Sequence, residues 1–200
     1  MNRFLLSLGV LALSLSACSV GEAGNEAASA EAPLAGARIG GSFSLIDQNG
    51  KPFTDRELLG RYAIVYFGYS FCPDVCPVDL QNIGAGLKAL EASDPALAAK
   101  VTPVFITIDP ARDTPAVLKA YAAAFHPLMV ALTGTPEQIA AAAKAYGIYY
   151  AKAPAAGSSE YLMDHSRQAY LFGPDGKPIA LLPAEKSPQA VTAELKRWVK

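Results

Sequence analysis

A mixed α/β sheet with helices on both faces, preceded by a β-hairpin, is the fold this sequence predicts. Three observations carry it. Short apolar runs at 62–67 and 101–108, the second rich in β-branched residues, read as buried central strands. Helical stretches alternate with these runs, and three of the helices open on a Ser/Thr-Pro pair. After the last strand–helix unit come an antiparallel hairpin and a terminal helix, and this order implies a mixed sheet between helix layers.

The elements follow in sequence. The globular part is expected from about residue 39. Residues 42–46, the turn Asp47-Gln48-Asn49-Gly50 and residues 51–53 read as a hairpin closed by glycine. Residues 54–59 fit one short helical turn. Then come a strand at 62–67, a helix at 78–91, a strand at 101–108, a helix at 117–125, a strand at 128–132, a helix at 137–146 and a short strand at 148–151. Residues 153–159, small and interrupted by Pro and Gly, read as a loop. Residues 169–172 and 178–182 flank Gly173-Pro174-Asp175-Gly176 as a second hairpin, and 189–199 form the last helix. Thr114-Pro115, Thr135-Pro136 and Ser187-Pro188 place a hydroxyl at each N-cap and a proline at the first helical position. The hydroxyl accepts from an orphan amide, and proline has no amide to orphan.

Composition narrows the function. The chain has 200 residues, is 52% hydrophobic and has a formal net charge of −1. That suits one domain with a sizeable core. No long basic run is present, which speaks against nucleic-acid binding and against a polybasic membrane patch.

The first 17 residues read as a lipoprotein signal peptide. Arg3 supplies the positive start, residues 4–15 form an apolar stretch too short to span a bilayer, and Leu15-Ser16-Ala17-Cys18 resembles a bacterial lipobox. Cys18 would then carry lipid and anchor the chain. Residues 18–38, mostly Ala, Gly, Glu and Ser, read as a flexible tether with a reach of roughly 25 Å. The expected location is the bacterial cell envelope, with the domain at 39–200 in the periplasm or extracytoplasmic space. With Cys18 lipidated, Cys72 and Cys76 are the two remaining thiols of the chain. Outside the cytosol such a pair oxidises unless it is kept reduced or metal-bound.

These two cysteines lie in Phe67-Gly68-Tyr69-Ser70-Phe71-Cys72-Pro73-Asp74-Val75-Cys76-Pro77, between the first central strand and the following helix. A cysteine pair at that point of such a pattern suggests a thioredoxin-like fold. A helix N-terminus favours the thiolate, the form that attacks disulfides and binds soft metals. Three residues separate the pair, one more than in ordinary redox motifs of this fold. On a helix, positions i and i+4 share a face, close enough either for a disulfide or for one metal ion. Spacing leaves both uses open. Pro77 cannot sit inside a continuous helix, so a turn carrying both cysteines is expected, with the helix starting about residue 77. Of the two histidines, His126 reads as a helix-terminal residue, and His165, just before the strand at 169, is a candidate third ligand.

The chain resembles the Sco/SenC family of copper-binding thioredoxin-fold proteins that serve cytochrome c oxidase assembly. The matching stretches are Tyr66-Phe67-Gly68-Tyr69 running into CPDVCP, Thr107-Ile108-Asp109-Pro110-Ala111-Arg112-Asp113-Thr114-Pro115, Leu132-Thr133-Gly134 and Asp164-His165-Ser166, in family order. The resemblance implies that Cys72, Cys76 and His165 are copper ligands and that Cys72 and Cys76 also form a redox disulfide. Two soft thiolates and an imidazole suit Cu(I), and imidazole also suits Cu(II). Asp74 and Asp164 would contact a partner or support the ligands. Asp109, Arg112 and Asp113 fit a structural ion-pair loop. The implied function is a membrane-anchored copper chaperone for the dinuclear copper centre of the oxidase, acting by delivery, by thiol reduction or by both. Its partners would be the copper-centre subunit of cytochrome c oxidase and another periplasmic copper chaperone or thiol reductase. A copper-independent thiol–disulfide oxidoreductase and a copper sensor or buffer are the alternatives.

Overall fold

The computed structural model describes residues 31–154 and 161–200. The signal peptide, Cys18 and most of the tether lie outside the described residues, as do residues 155–159 of the segment expected to be a loop.

Seven strands form one sheet in the order β2-β1-β5-β4-β3-β8-β9. They are β1 (Ser44–Asp47), β2 (Pro52–Thr54), β3 (Tyr62–Gly68), β4 (Val101–Thr107), β5 (Val130–Thr133), β8 (Ala169–Phe172) and β9 (Pro178–Leu182). β3, β4 and β5 run parallel at the centre, and the outer pairings are antiparallel. This is the expected thioredoxin-like mixed sheet with its N-terminal hairpin. Two further strands, β6 (Tyr150–Pro154) and β7 (Tyr161–His165), pair only with each other.

The helices are α1 (Val75–Ser93), the short α2 (Pro95–Ala98), α3 (Pro115–Phe125), α4 (Pro136–Ala145) and α5 (Pro188–Trp198). Thr114, Thr135 and Ser187 each accept a backbone amide with their hydroxyl at the start of α3, α4 and α5. Successive strand residues point to opposite faces, and β3 shows what covers each one. Tyr66 reaches Asp79 of α1. Phe67 packs its ring 5.4 Å from Tyr146, directly after α4. Phe105 of β4 is in register with Tyr66, and its ring packs, tilted, 5.4 Å from that of Tyr121 of α3. One face therefore carries α1 and α3, with α5 against α1, and the other carries the end of α4. Buried on both sides, residues 63–67 read as an unbroken apolar run rather than an alternating one.

Three boundaries differ from expectation. α1 begins at Val75, so Cys76 and Pro77 are its second and third residues rather than lying before it. The first turn of a helix has no intrahelical partner for its amides, so proline is tolerated there. The domain also reaches back beyond residue 39. Leu34 donates its amide to the Ile179 carbonyl at 3.0 Å and packs on the core. Finally, the 148–151 strand is longer than expected and is half of a hairpin whose other strand, β7, ends on His165.

Candidate metal centre

The cysteine loop is fastened at its base. β3 ends at Gly68, where a Cβ would lie 2.9 Å from the Cys76 sulfur and 3.1 Å from the rings of Phe105 and Tyr66. The absence of a side chain there is what allows Cys76 to sit over the strand end, fully buried. Two residues on, Ser70 is held by the buried Asp113, which accepts from the Ser70 amide at 3.0 Å, from its hydroxyl, and from the Thr107 hydroxyl at 2.5 Å. Burial pushes the Asp113 carboxyl up, against the pull of these donors. The Cys72 amide closes a turn onto the Tyr69 carbonyl, and α1 starts three residues later.

The two thiols are not equivalent. Cys72 is half-buried and Cys76 has no exposure. The neighbouring Cys76 thiol, then the His165 ring and the amides of Cys76 and Asp74, hold the Cys72 thiol down to about 3, although burial opposes this. Cys76 is pushed far up by the Cys72 sulfur and by burial. Burial and the shared hydrogen bond thus favour the negative charge on the outer sulfur, at the helix N-terminus, and disfavour it on the inner one.

His165 arrives from 89 residues away, at the end of β7. Its Nδ1 donates to the Ser166 carbonyl at 2.7 Å, which leaves Nε2 as the ring nitrogen turned to the sulfurs. That Nε2 lies 3.1 Å from the Cys76 sulfur. Tyr66 and Tyr69 flank the ring edge-on, with centroids at 6.4 and 6.0 Å. The two sulfurs and the histidine nitrogen all lie within 4.8 Å of one another. A three-coordinate ion with bonds of about 2.0–2.3 Å spaces its ligand atoms roughly 3.5–4 Å apart, so a small closing of the three atoms brings them onto a single ion. Two thiolates and an imidazole are a soft set, suited to Cu(I) and unsuited to Mg²⁺ or Ca²⁺.

The other sequence candidates separate. Asp74, exposed at the N-cap of α1, makes no side-chain capping bond. Asp164 is exposed and does not support the histidine. Both ring nitrogens are already engaged, one by Ser166 and one by Cys76, and strand alternation turns Asp164 away from the His165 side. Asp109 and Arg112 form an ion pair at 2.5 Å, and Arg112 lies over the Tyr161 ring at 3.8 Å and the Phe71 ring at 4.8 Å. Asp113 belongs to the separate Ser70 fastening. His126 caps α3, fully buried, 3.3 Å from Glu91.

Sequence reasoning missed three supports. The Tyr69 hydroxyl accepts from the Met163 amide at 3.2 Å, joining the cysteine loop to β7. Asp79 lies buried on α1, and Arg167 forks onto it. A carboxylate among Cys76, Leu80, Ile83 and Leu87, on the apolar face of the helix, was a readable signal.

A thioredoxin-like sheet with two cysteines and a histidine converging at the strand–helix junction defines a protein whose donor set suits a soft metal. The SCO1/SenC family model matches residues 31–200, and the chain belongs to that family. It is 48% identical over 141 residues to protein SenC of Rhodobacter capsulatus, covering 70% of this chain and 61% of that protein. It is 44% identical over 140 residues to the mitochondrial protein SCO1 of Saccharomyces cerevisiae, covering 70% and 46%. The copper-bound structure of ScoI from Bradyrhizobium japonicum superposes with a TM-score of 0.72 at 40% identity, over 80% of this chain and 99% of that one. The chain spans about half the length of the curated relatives it matches. Among the described residues no helix is long and apolar enough to cross a membrane.

Proposed function

We propose that this protein is a membrane-anchored extracytoplasmic copper chaperone. It binds one copper through Cys72, Cys76 and His165 and supports assembly of the dinuclear copper centre of cytochrome c oxidase. The observation that carries this reading is the convergence of the His165 ring on the cysteine pair. The bond from Nδ1 to Ser166 turns Nε2 to the two sulfurs, within 4.8 Å of both. A dithiol reductase has no use for such a nitrogen, whereas a copper site does. Relatives with copper bound support the choice of metal. Copper is the cargo, so the site has to release it as well as hold it. Cys72, half-exposed, is the sulfur that an incoming acceptor meets first, and Cys76 and His165 form the inner wall. Anchoring through a lipid on Cys18, with the domain in the periplasm, belongs to this proposal, as do contacts of Asp74 and Asp164 with the oxidase copper subunit.

One observation favours a second activity at the same residues. A half-exposed cysteine held towards its thiolate and backed by a fully buried one is the arrangement of a disulfide reductant. The Cys72 thiolate attacks a partner's disulfide and the mixed disulfide forms. Cys76 then loses its proton and displaces the partner, leaving a Cys72–Cys76 disulfide and a partner dithiol. Two electrons pass to the partner together with the Cys76 proton, solvent supplies the second proton of the partner dithiol, and the oxidised pair can no longer hold copper with thiolates.

Titration of the reduced protein with Cu(I) and Cu(II) tests the proposal. One tight equivalent is expected, lost in Cys72→Ala and strongly weakened in His165→Ala. Full Cu(II) binding in His165→Ala would overturn the three-ligand site. Rescue of oxidase assembly in a deletion strain then separates delivery from buffering.

A further inference from the structure

His165 belongs to a hairpin that shares no strand pairing with the main sheet. Its position against α1, which carries Cys76, therefore depends on side chains. Arg167 provides one such tie. It stands two residues after His165, in the three-residue connection from β7 to β8. Its Nε donates to Asp79 Oδ2 at 3.0 Å and its terminal nitrogen to Oδ1 at 2.6 Å. Asp79 is three residues after Cys76 on the same face of α1. The carboxylate has no exposure and takes a third donor, the Tyr66 hydroxyl, at 2.9 Å. Tyr66 also packs edge-on to the His165 ring.

The proposed ligand set gives this buried carboxylate no role. A charge held without solvent is costly unless it is paired and fully bonded, and here the pairing is built from both ligand-bearing segments. A bidentate guanidinium fork fixes direction as well as distance. Arg167 itself is 42% exposed, so its outer edge stays solvated. The Tyr69–Met163 and Arg112–Tyr161 bonds fasten the hairpin to the cysteine loop and to the loop after β4. The Arg167 fork fastens it to the helix that bears Cys76.

We infer that the Asp79–Arg167 pair is a positioning clamp that sets the reach of His165 to Cys76, and so tunes the nitrogen ligand of the proposed copper site. Arg167 touches no copper and acts through His165. The inference rests on the three-ligand reading. Cu(I) is held adequately by two thiolates, whereas Cu(II) needs the imidazole. Loosening the clamp therefore weakens Cu(II) selectively.

The test uses the full chain in reduced form, with Arg167→Gln, Arg167→Lys, Asp79→Asn and His165→Ala. Arg167→Gln is expected to lower Cu(II) affinity by about tenfold and to change Cu(I) affinity by less than about threefold. The nitrogen hyperfine pattern in the Cu(II) paramagnetic resonance spectrum should broaden or fall. Arg167→Lys, which keeps charge but loses the fork, should recover only part of the affinity. Without copper, the Ser166 amide, bonded to the Tyr149 carbonyl at 2.9 Å, should exchange faster in Arg167→Gln. Because Arg167 is half-exposed, this variant should melt close to the parent. If it does not fold, Asp79→Asn carries the same expected Cu(II) loss and the same amide effect. Unchanged Cu(II) affinity and spectrum in a folded Arg167→Gln, with binding lost in His165→Ala, would overturn the clamp and leave the ligand set standing. Unchanged Cu(II) binding in His165→Ala would overturn the ligand set and the clamp with it.

Discussion

His126 and His165 are the two histidines of this chain, and the structure holds their rings with opposite polarity. At His126 the Leu128 amide donates to Nδ1 at 3.2 Å, so the ring proton sits on Nε2, 3.3 Å from Glu91. At His165 the ring itself donates from Nδ1 to the Ser166 carbonyl, so Nε2 is the nitrogen left to face sulfur. One ring is buried at a helix end, both nitrogens turned to its own fold. The other stands at a strand end with its second nitrogen turned into the site. Whether the backbone presents an N–H or a C=O to Nδ1 decides which histidine can be a ligand.

Substituting each histidine in turn is the sharpest way to break this comparison. His165→Ala should cost more Cu(II) affinity than the about 10–100-fold typical of losing a ligand's supporting partner, with little change in melting. His126→Ala should leave copper affinity unchanged and cost about 1–3 kcal/mol of stability in denaturant titrations, since it strands the Leu128 amide and opens a buried gap. A copper defect in His126→Ala would erase the distinction.

Gly68→Ala probes the sulfur wall that faces His165. The added methyl meets the Cys76 sulfur and two aromatic rings at 2.9–3.1 Å. We expect about 1–3 kcal/mol of destabilisation and a measurable loss of Cu(I) affinity, read by unfolding and by competition titration.

The two regions also differ in their response to pH. Copper loading removes the proton held on Cys76, whose thiol is pushed up, while Cys72 is already a thiolate at neutral pH. Apparent Cu(I) affinity should therefore rise about tenfold per pH unit above neutrality, one proton leaving per copper. At His126 burial lowers the ring below its ordinary 6.5. Below that value the unfolded chain takes up a proton that the folded one resists, so folding stability falls as pH drops through 6.5 and towards the folded value. His126→Gln should flatten that part of the stability profile, the smallest of the expected effects.

Much of the frame was legible in the chain. The apolar run of β3, the Ser/Thr-Pro helix starts and the glycine-closed hairpins are local signals whose physics acts within a few residues. The cysteine spacing was equally plain, although spacing alone left redox and metal use open. Of the β6–β7 hairpin only the start of the first strand was legible, as the short strand expected at 148–151. Ala, Lys and Pro in 151–154 lack the alternation of a half-buried strand, and the pairing that makes them one comes from β7. The start of α1 was misjudged because Pro77 reads as a helix breaker unless its place in the first turn is known.

The sequence by itself determined which residues could serve as soft ligands, the strand that delivers two of them, and the helix that follows. Those are properties of residue type and near-neighbour spacing. Only the tertiary structure decided how the His165 ring is turned to the sulfurs, that Cys72 is half-exposed while Cys76 is buried, and that Asp79 and Arg167, 88 residues apart, join the two segments. Each of those outcomes is set by burial or by a hydrogen bond between segments distant in the chain or local only once folded. No pattern read along the chain contains that geometry.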